Sequence, residues 1–353
     1  MRIPTVATAF VTVCVASAQH RSSTGPRAAS REGGAWHDLT PIPLLPRQEH
    51  AAVAINSTTV AVLGGITGSS ATGVWNNTDL VTLYDVPSHK WTPAAPLPVA
   101  LNHPNAAAVD GRIYLLGGLA ETFDQNGTWR AVPDCWVYDP AQDRWESVAR
   151  FPPGTERGSA AVGVFGTKIY LAGGLRSMET VPGGAIITVD DVSAYDTATD
   201  TWIPLGIHPL PQPRDHAGGA VVANAFYVIG GRHITGRLLA SDSVYVLGLD
   251  ALSDGWRTAS ASPLPTARAG HGTVVFGGRI YTFGGEGNLR DASGVFGETE
   301  VLDPATGAWA SLEPMRHPRH GSAAVAVSEG IIIPGGGVAW GSSPVDTADM
   351  FRP

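Results

Sequence analysis

An all-β ring of six four-stranded blades is predicted by three observations. Glycine pairs stand at Gly64-Gly65, Gly117-Gly118, Gly173-Gly174, Gly230-Gly231, Gly284-Gly285 and Gly335-Gly336, spaced by 53, 56, 57, 54 and 51 residues. Six tryptophans, Trp36, Trp91, Trp145, Trp202, Trp256 and Trp309, keep the same phase. The 353 residues carry 43 Gly and 27 Pro with only 15% charged residues, the usage of a chain with many tight turns and little solvated helix surface. A repeat of about 50 residues overrides the two-domain expectation that length alone suggests.

Within one period, an Ala/Val-rich strand such as 50–55 is followed by a turn and a second strand, 60–63, which ends at the Gly pair. A variable loop follows. A third strand then carries an aromatic or aliphatic residue seven positions before the Trp: Tyr84, Tyr138, Tyr195, Leu249 and Leu302. A turn such as Asp139-Pro140-Ala141-Gln142-Asp143 leads to the Trp, which opens the fourth strand. Four short antiparallel strands per period make a blade.

This order of Gly doublet, Tyr and spaced Trp resembles the kelch repeat, over residues 36–353 in six in-phase copies. The resemblance implies a six-bladed β-propeller. The sixth Gly pair is followed by a third strand at 347–351 and by no Trp strand, whereas 36–40 has no blade of its own. The N-terminal segment is therefore expected to supply the fourth strand of the last blade and close the ring, which removes exposed edges. The blades are expected at 47–95, 100–150, 156–206, 214–260, 268–313, and 319–353 with 36–40.

Residues 1–18 read as a secretory signal: Arg2, an apolar run from Val6 to Val15, and Ala16-Ser17-Ala18 before Gln19. The run is too short to span a bilayer, and no later stretch does so, so no membrane partner is expected. Residues 19–35 are polar and aperiodic, a flexible leader. Sequons at Asn56, Asn76 and Asn126 fit a secreted glycoprotein, with Asn56 at a turn and the other two in loops after Gly pairs. Cys14 falls in the signal, so Cys135 is the one mature cysteine and is read as a buried packing residue. The formal charge of −8 becomes −9 without Arg2, which argues against nucleic acid as a partner.

Chemistry is expected on the face reached by the starts of the innermost strands. Arg47, Arg157, Arg214, Arg268 and Arg319 recur there, with His50, His103, His216, His271 and His320 close behind, and only the second blade lacks the arginine. The loops after the Gly pairs add Arg176, Arg232, His233, Glu286 and Arg290. One reading is a basic mouth that draws in an anion, since guanidinium forks suit carboxylates. The other is structural, each Arg and His bonding loop carbonyls of a neighbouring blade. Glu286, directly after a Gly pair, with Arg290 four positions on, resembles the bacterial sialic acid mutarotases, six-bladed kelch enzymes. That likeness implies Glu286 as base and Arg290 as carboxylate holder, and a loop salt bridge is the structural alternative.

Two other kelch activities do not fit. The copper radical oxidases similar to galactose oxidase have seven blades and a Tyr crosslinked to Cys. The nitrile-specifier proteins hold iron through one loop with a Glu-x3-Asp-x3-His run, which this sequence lacks. The histidines come one per blade, so no metal site and no cofactor are expected. Three functions stay open: a secreted binding module for an acidic peptide, an acidic glycan or an extracellular protein; an enzyme on an acidic sugar; and a wall-associated structural protein.

Overall fold

The computed structural model describes residues 33–69, 74–122, 127–181, 183–203, 208–234, 238–259 and 262–353. The signal segment, Asn126 and nearly all of the 19–35 leader lie outside these, although Ala35 already belongs to a strand.

Among the described residues the chain forms two-stranded hairpins in the loops and six antiparallel blade sheets, each built on four strands that follow chain order in the first five blades. In blade 1 these are Ala51–Asn56, Thr59–Leu63, Val81–Asp85 and Lys90–Ala94. Blades 2 to 5 repeat the order over 106–148, 161–203, 218–258 and 272–311. The innermost strands are built from small residues because six of them crowd one axis: Ala106 to Ala108, Gly218-Gly219 and Gly272 lie here. The second strands are covered on both faces by neighbouring blades, so they read as continuous apolar runs, such as Ile113 to Leu116 and Ile331 to Ile333. Hydrophobic clusters accordingly sit at the blade interfaces, for example Leu63, Leu101, Ile113 and Tyr138 between blades 1 and 2.

The aromatic positions of the repeat close each interface. Tyr84 faces Trp91, Tyr138 faces Trp145 and Tyr195 faces Trp202 across the third and fourth strands. Each Trp also donates its indole N–H backwards: Trp145 to the Ala95 carbonyl at 3.0 Å, Trp202 to Ala149 at 3.0 Å and Trp309 to Ser262 at 3.2 Å. The fourth blade departs from the expected pairing. A 3-10 turn at Leu252–Asp254 lengthens the connection, so Trp256 faces Leu247 rather than Leu249.

The Gly pairs are required by close approach as well as by backbone angle. Gly64 and Gly65 have φ of 59° and 107°, and a Cβ on Gly64 would stand 2.6 Å from the carbonyl oxygen of Leu101 in the next blade. The second glycine bonds that same carbonyl through its N–H: Gly65 to Leu101 at 2.8 Å, Gly231 to Arg268 at 2.9 Å and Gly336 to Arg47 at 2.8 Å.

The ring closes as the ends of the sequence suggest. Ala35–Asp38 is the fourth strand of the last sheet, with Trp36 opposite Phe351. Its indole donates to the Glu313 carbonyl of blade 5 at 3.0 Å, while Trp91 of blade 1 donates to Thr40 at 2.8 Å. The loops after the Gly pairs hold more structure than expected. Hairpins form at Ile66–Ser69 with Val74–Asn77, and at Leu119–Glu121 with Thr128–Ala131, and the latter joins the long strand Lys168–Glu179 of blade 3. Asn76 thus sits in a strand rather than a loop; it and Asn56 are both exposed.

Candidate functional site

The five repeated arginines do not face solvent. Arg47, Arg157, Arg268 and Arg319 are 0% exposed and Arg214 is 1% exposed, so the expected basic mouth is corrected to a set of internal braces. Arg319 donates to the carbonyls of Gly335 at 2.7 Å and Ile333 at 2.9 Å and to Asp349 at 2.7 Å. Arg157 reaches Gly173 at 2.8 Å and Leu171 at 3.1 Å, and Arg47 reaches Leu80 at 2.8 Å and Thr82 at 2.7 Å. Arg214 donates to the Tyr245 hydroxyl at 3.1 Å, and Arg268 pairs with Glu300 at 2.6 Å. The partners belong to the arginine's own blade, where these long donors satisfy carbonyls and hydroxyls that the narrowing wedge leaves without water. Burial brings Arg47 and Arg157 down to about 10.

The Glu286–Arg290 pair is also corrected. Arg290 is exposed, its N–H bonded to Asn288, whereas Glu286 is 3% exposed and salt-bridged to Arg232 at 2.6 Å. Burial raises the Glu286 carboxyl, but the Arg232 guanidinium beside it outweighs this and holds the group below its ordinary range. Arg176 bonds Asp191 at the surface, and His233 is half-buried.

The histidines divide into two kinds. His50 and His271 stand three residues after their arginines and lie under the Gly pair of the preceding blade, His271 sharing Nε2 with the Ile229 carbonyl at 3.2 Å. Burial, and next the charges of Arg47 and Arg268, push each down to about 3. The other three converge on the axis. The reading of the histidines as ungrouped, one per blade, is therefore revised.

The convergence comes from one backbone position. Two residues after each arginine, or after Leu101 in blade 2, stand Glu49, His103, Ser159, His216, Gly270 and Gly321, with φ of 52°, 47°, 55°, 54°, 59° and 58°. All six share this left-handed turn, and at Glu49, His103 and His216 the side chains that leave it meet one another. Hydrogen bonds run round the axis through these residues. Glu49 donates to Gly321 at 2.7 Å, His103 to Glu49 at 2.8 Å, Ser159 to His103 at 2.9 Å, Gly270 to His216 at 2.9 Å and Gly321 to Gly270 at 2.8 Å. His216 completes the circle through the Ser159 hydroxyl at 3.1 Å.

At the centre, His103 Nε2 lies 2.9 Å from His216 Nε2 and 3.3 Å from Glu49 Oε2, and His216 Nε2 is 3.8 Å from the same oxygen. His320, one residue after Arg319, brings its Nε2 within 3.7 Å of Glu49 Oε1 and 3.9 Å of Glu286 Oε2. The outer nitrogens are held: His216 Nδ1 by Asp215 at 2.6 Å, His103 Nδ1 by Asn102 Oδ1 at 2.5 Å and His320 Nδ1 by the Gly337 carbonyl at 3.1 Å. Burial and the adjacent His216 ring push His103 well below the histidine range. Asp215 is fully buried, yet Arg232 and His216 keep it ionised. The cluster caps one end of a cavity of about 320 Å³ along the axis, walled by small residues such as Ala52, Ala106, Val162 and Gly219.

Sequence reasoning missed Glu49, Asp215 and Asn102. The signal that finds Glu49 is the column two positions past each arginine, where Gly270 and Gly321 mark the backbone angle that the others share; Asp215 and Asn102 each stand one position before a histidine of that column.

The chain is 39% identical over 324 residues to the Kelch-like protein terF of Aspergillus terreus, covering 91% of this chain and 68% of that protein. It belongs to the kelch-repeat family. Kelch motifs match at residues 100–152 and 156–207, and the Kelch-repeats domain of KLHDC2, KLHL20 and DRC7 matches at 183–337. Human Kelch-like protein 34 is 27% identical over 271 residues, where this kelch chain spans 39% of the relative's length. The solved structure of YjhT superposes with a TM-score of 0.69 at 16% identity, over 89% of this chain and 99% of that one, a likeness of fold.

Proposed function

We propose that this kelch protein is a binding module whose ligand site is the axial cluster, and that the ligand is small and polar. One observation carries the reading: left-handed residues of three blades, Glu49, His103 and His216, put their polar ends together at the end of an open cavity of about 320 Å³. That volume falls in the range of small-molecule sites, and the lining adds Ser159, Thr273 and Ser322 to the cluster among small apolar residues. The acidic ligand suggested by the arginine column loses its support, because those guanidinium groups are already used inside the blades.

A second reading, an enzyme that moves a proton on a small sugar, is favoured by Asp215 and His216. A carboxylate that holds Nδ1–H leaves Nε2 as the acceptor, the arrangement of a general base. In this reading His216 replaces the Glu286 and Arg290 pair.

Thermal shifts in EDTA against polyols, sugars, sugar acids and amines test the first reading. A ligand at 100 times its Kd stabilises by about 2.7 kcal/mol. The expected result is a shift in the wild type that is lost in Glu49→Gln; a shift equal in both moves the site elsewhere. Mutarotation followed by NMR, lost in His216→Gln, supports the enzyme, and no rate above the uncatalysed one in the wild type removes it.

The proposal includes secretion, supported by the sequence of residues 1–18 and by the exposure of Asn56 and Asn76. Mass spectrometry of protein from a secreting eukaryotic host should find glycan on one of them, and bare asparagine at both counts against this route.

A further inference from the structure

At the axis, Glu49, His103 and His216 each bring one ligand atom within 4.8 Å of the others, and His320 Nε2 stands 3.7 Å from Glu49 Oε1 and 3.9 Å from Glu286 Oε2. We propose that Glu49, His103 and His216 hold a single divalent first-row transition ion, of the zinc or iron(II) kind, with His320 and Glu286 beside its remaining positions. This rests on the reading of the axial cluster as the ligand site and adds an ion to that site.

The nitrogen roles come first. His216 Nδ1 faces the Asp215 carboxylate, so it carries the proton. His103 Nδ1 faces Asn102 Oδ1, and that amide is oriented by its own Nδ2, which donates to Asn77 Oδ1 at 2.7 Å, while Asn77 Nδ2 donates to Leu119 at 3.0 Å. Both Nε2 atoms are therefore lone pairs, and they point at each other across 2.9 Å. Two such lone pairs repel unless something positive lies between them. Imidazoles fixed through Nδ1 by a carboxylate and a carbonyl are the usual outer shell of a metal site.

The separations fit as well. Tetrahedral ligand atoms about 2.0–2.2 Å from an ion stand roughly 3.3–3.6 Å apart. The three distances here, 2.9, 3.3 and 3.8 Å, bracket that value, and all three atoms lie within 4.8 Å of one another. Two imidazoles and one carboxylate suit zinc, iron(II) or cobalt(II).

Charge and space agree. With neutral imidazoles the cluster holds three carboxylates, Glu49, Asp215 and Glu286, against one guanidinium, Arg232. An ion of charge +2 balances that excess in a site where uncompensated charge is costly. Gly321 leaves the room that Glu49 occupies, since a Cβ there would collide with its carboxylate.

The test uses the full chain, stripped with EDTA and titrated with Zn²⁺ and Co²⁺ by calorimetry and visible absorption. One equivalent should bind, with the ligand-field bands of four- or five-coordinate cobalt. Affinity should fall at least about 100-fold in Glu49→Gln and in His103→Ala, more than the 10–100-fold typical of an outer-shell change. His317→Ala, at the separate group of exposed Asp38 and His317 with buried Asp349, should bind as the wild type does. The proposal is overturned by a wild type that binds no equivalent, by undiminished binding in Glu49→Gln, or by loss in His317→Ala. Should His103→Ala fail to fold, Glu49→Gln decides, because it keeps shape and faces the cavity. A small ligand that needs Glu49 in EDTA, with no metal bound in its absence, sinks the ion and leaves the binding site standing.

Discussion

Arg268 and Glu300 form a salt bridge of 2.6 Å in which both side chains are almost wholly buried, 0% and 3% exposed. Glu300 also accepts the Thr266 hydroxyl at 2.8 Å, and Arg268 donates to Thr282 at 2.6 Å. Removing the arginine leaves a carboxylate buried with no counter-charge. Arg268→Ala should destabilise the propeller by about 3–5 kcal/mol, read as a lower denaturant midpoint. An unchanged midpoint would mean that Glu300 is solvated in the native protein.

Trp36 ties the last blade to its neighbour through the Glu313 carbonyl and packs 5.0 Å from Phe351. It is 3% exposed. Trp36→Ala should cost about 3–5 kcal/mol, the range for emptying a large aromatic site. Deleting 33–40 should cost more, since Phe351's strand then becomes an open edge. Equal melting temperatures for the deletion and the wild type would refute closure by this strand.

Buried histidines set an acid limit. His50 and His271 are held near 3, far below the unfolded value of about 6.5. Between those values the unfolded chain binds protons that the native chain refuses, so their contribution is complete above about pH 6.5 and declines as pH falls. Each should give a slope of up to about 1.4 kcal/mol per pH unit, and His271→Gln should flatten the curve between pH 6.5 and 4. A variant slope identical to wild type would show that His271 is protonated in the fold.

Cys135 is 1% exposed, and burial pushes its thiol up to about 12. A thiol so protonated is a poor nucleophile. Labelling with a thiol reagent at pH 8 should follow global unfolding, rising with denaturant along the same transition as tryptophan fluorescence. Rapid labelling of the native chain would place Cys135 in a local opening.

Much of the architecture was legible because each blade repeats its own packing problem. The Gly doublets mark where backbone meets the next blade's carbonyl, and the Tyr and Trp mark cross-strand pairs. The fourth blade misled through Leu249, since a residue count across a turn is blind to a 3-10 insertion. The arginines left two readings open, an anion-binding mouth and a structural brace, and the brace is what forms, within the arginine's own blade. Their recurrence and position at strand starts were correct, but a sequence does not show whether a guanidinium meets solvent or its own blade's carbonyls.

The sequence by itself determined a six-bladed kelch ring and its closure by Trp36's strand, because these depend on contacts repeated at a fixed period. Only the tertiary structure decided the axial cluster. His103 and His216 are 113 residues apart, and Glu49 lies in a third blade, so no local pattern joins them. What joins them is a left-handed residue at the same place in every blade, with the ring closed around it. Closing the ring converts a period along the chain into a meeting point in space.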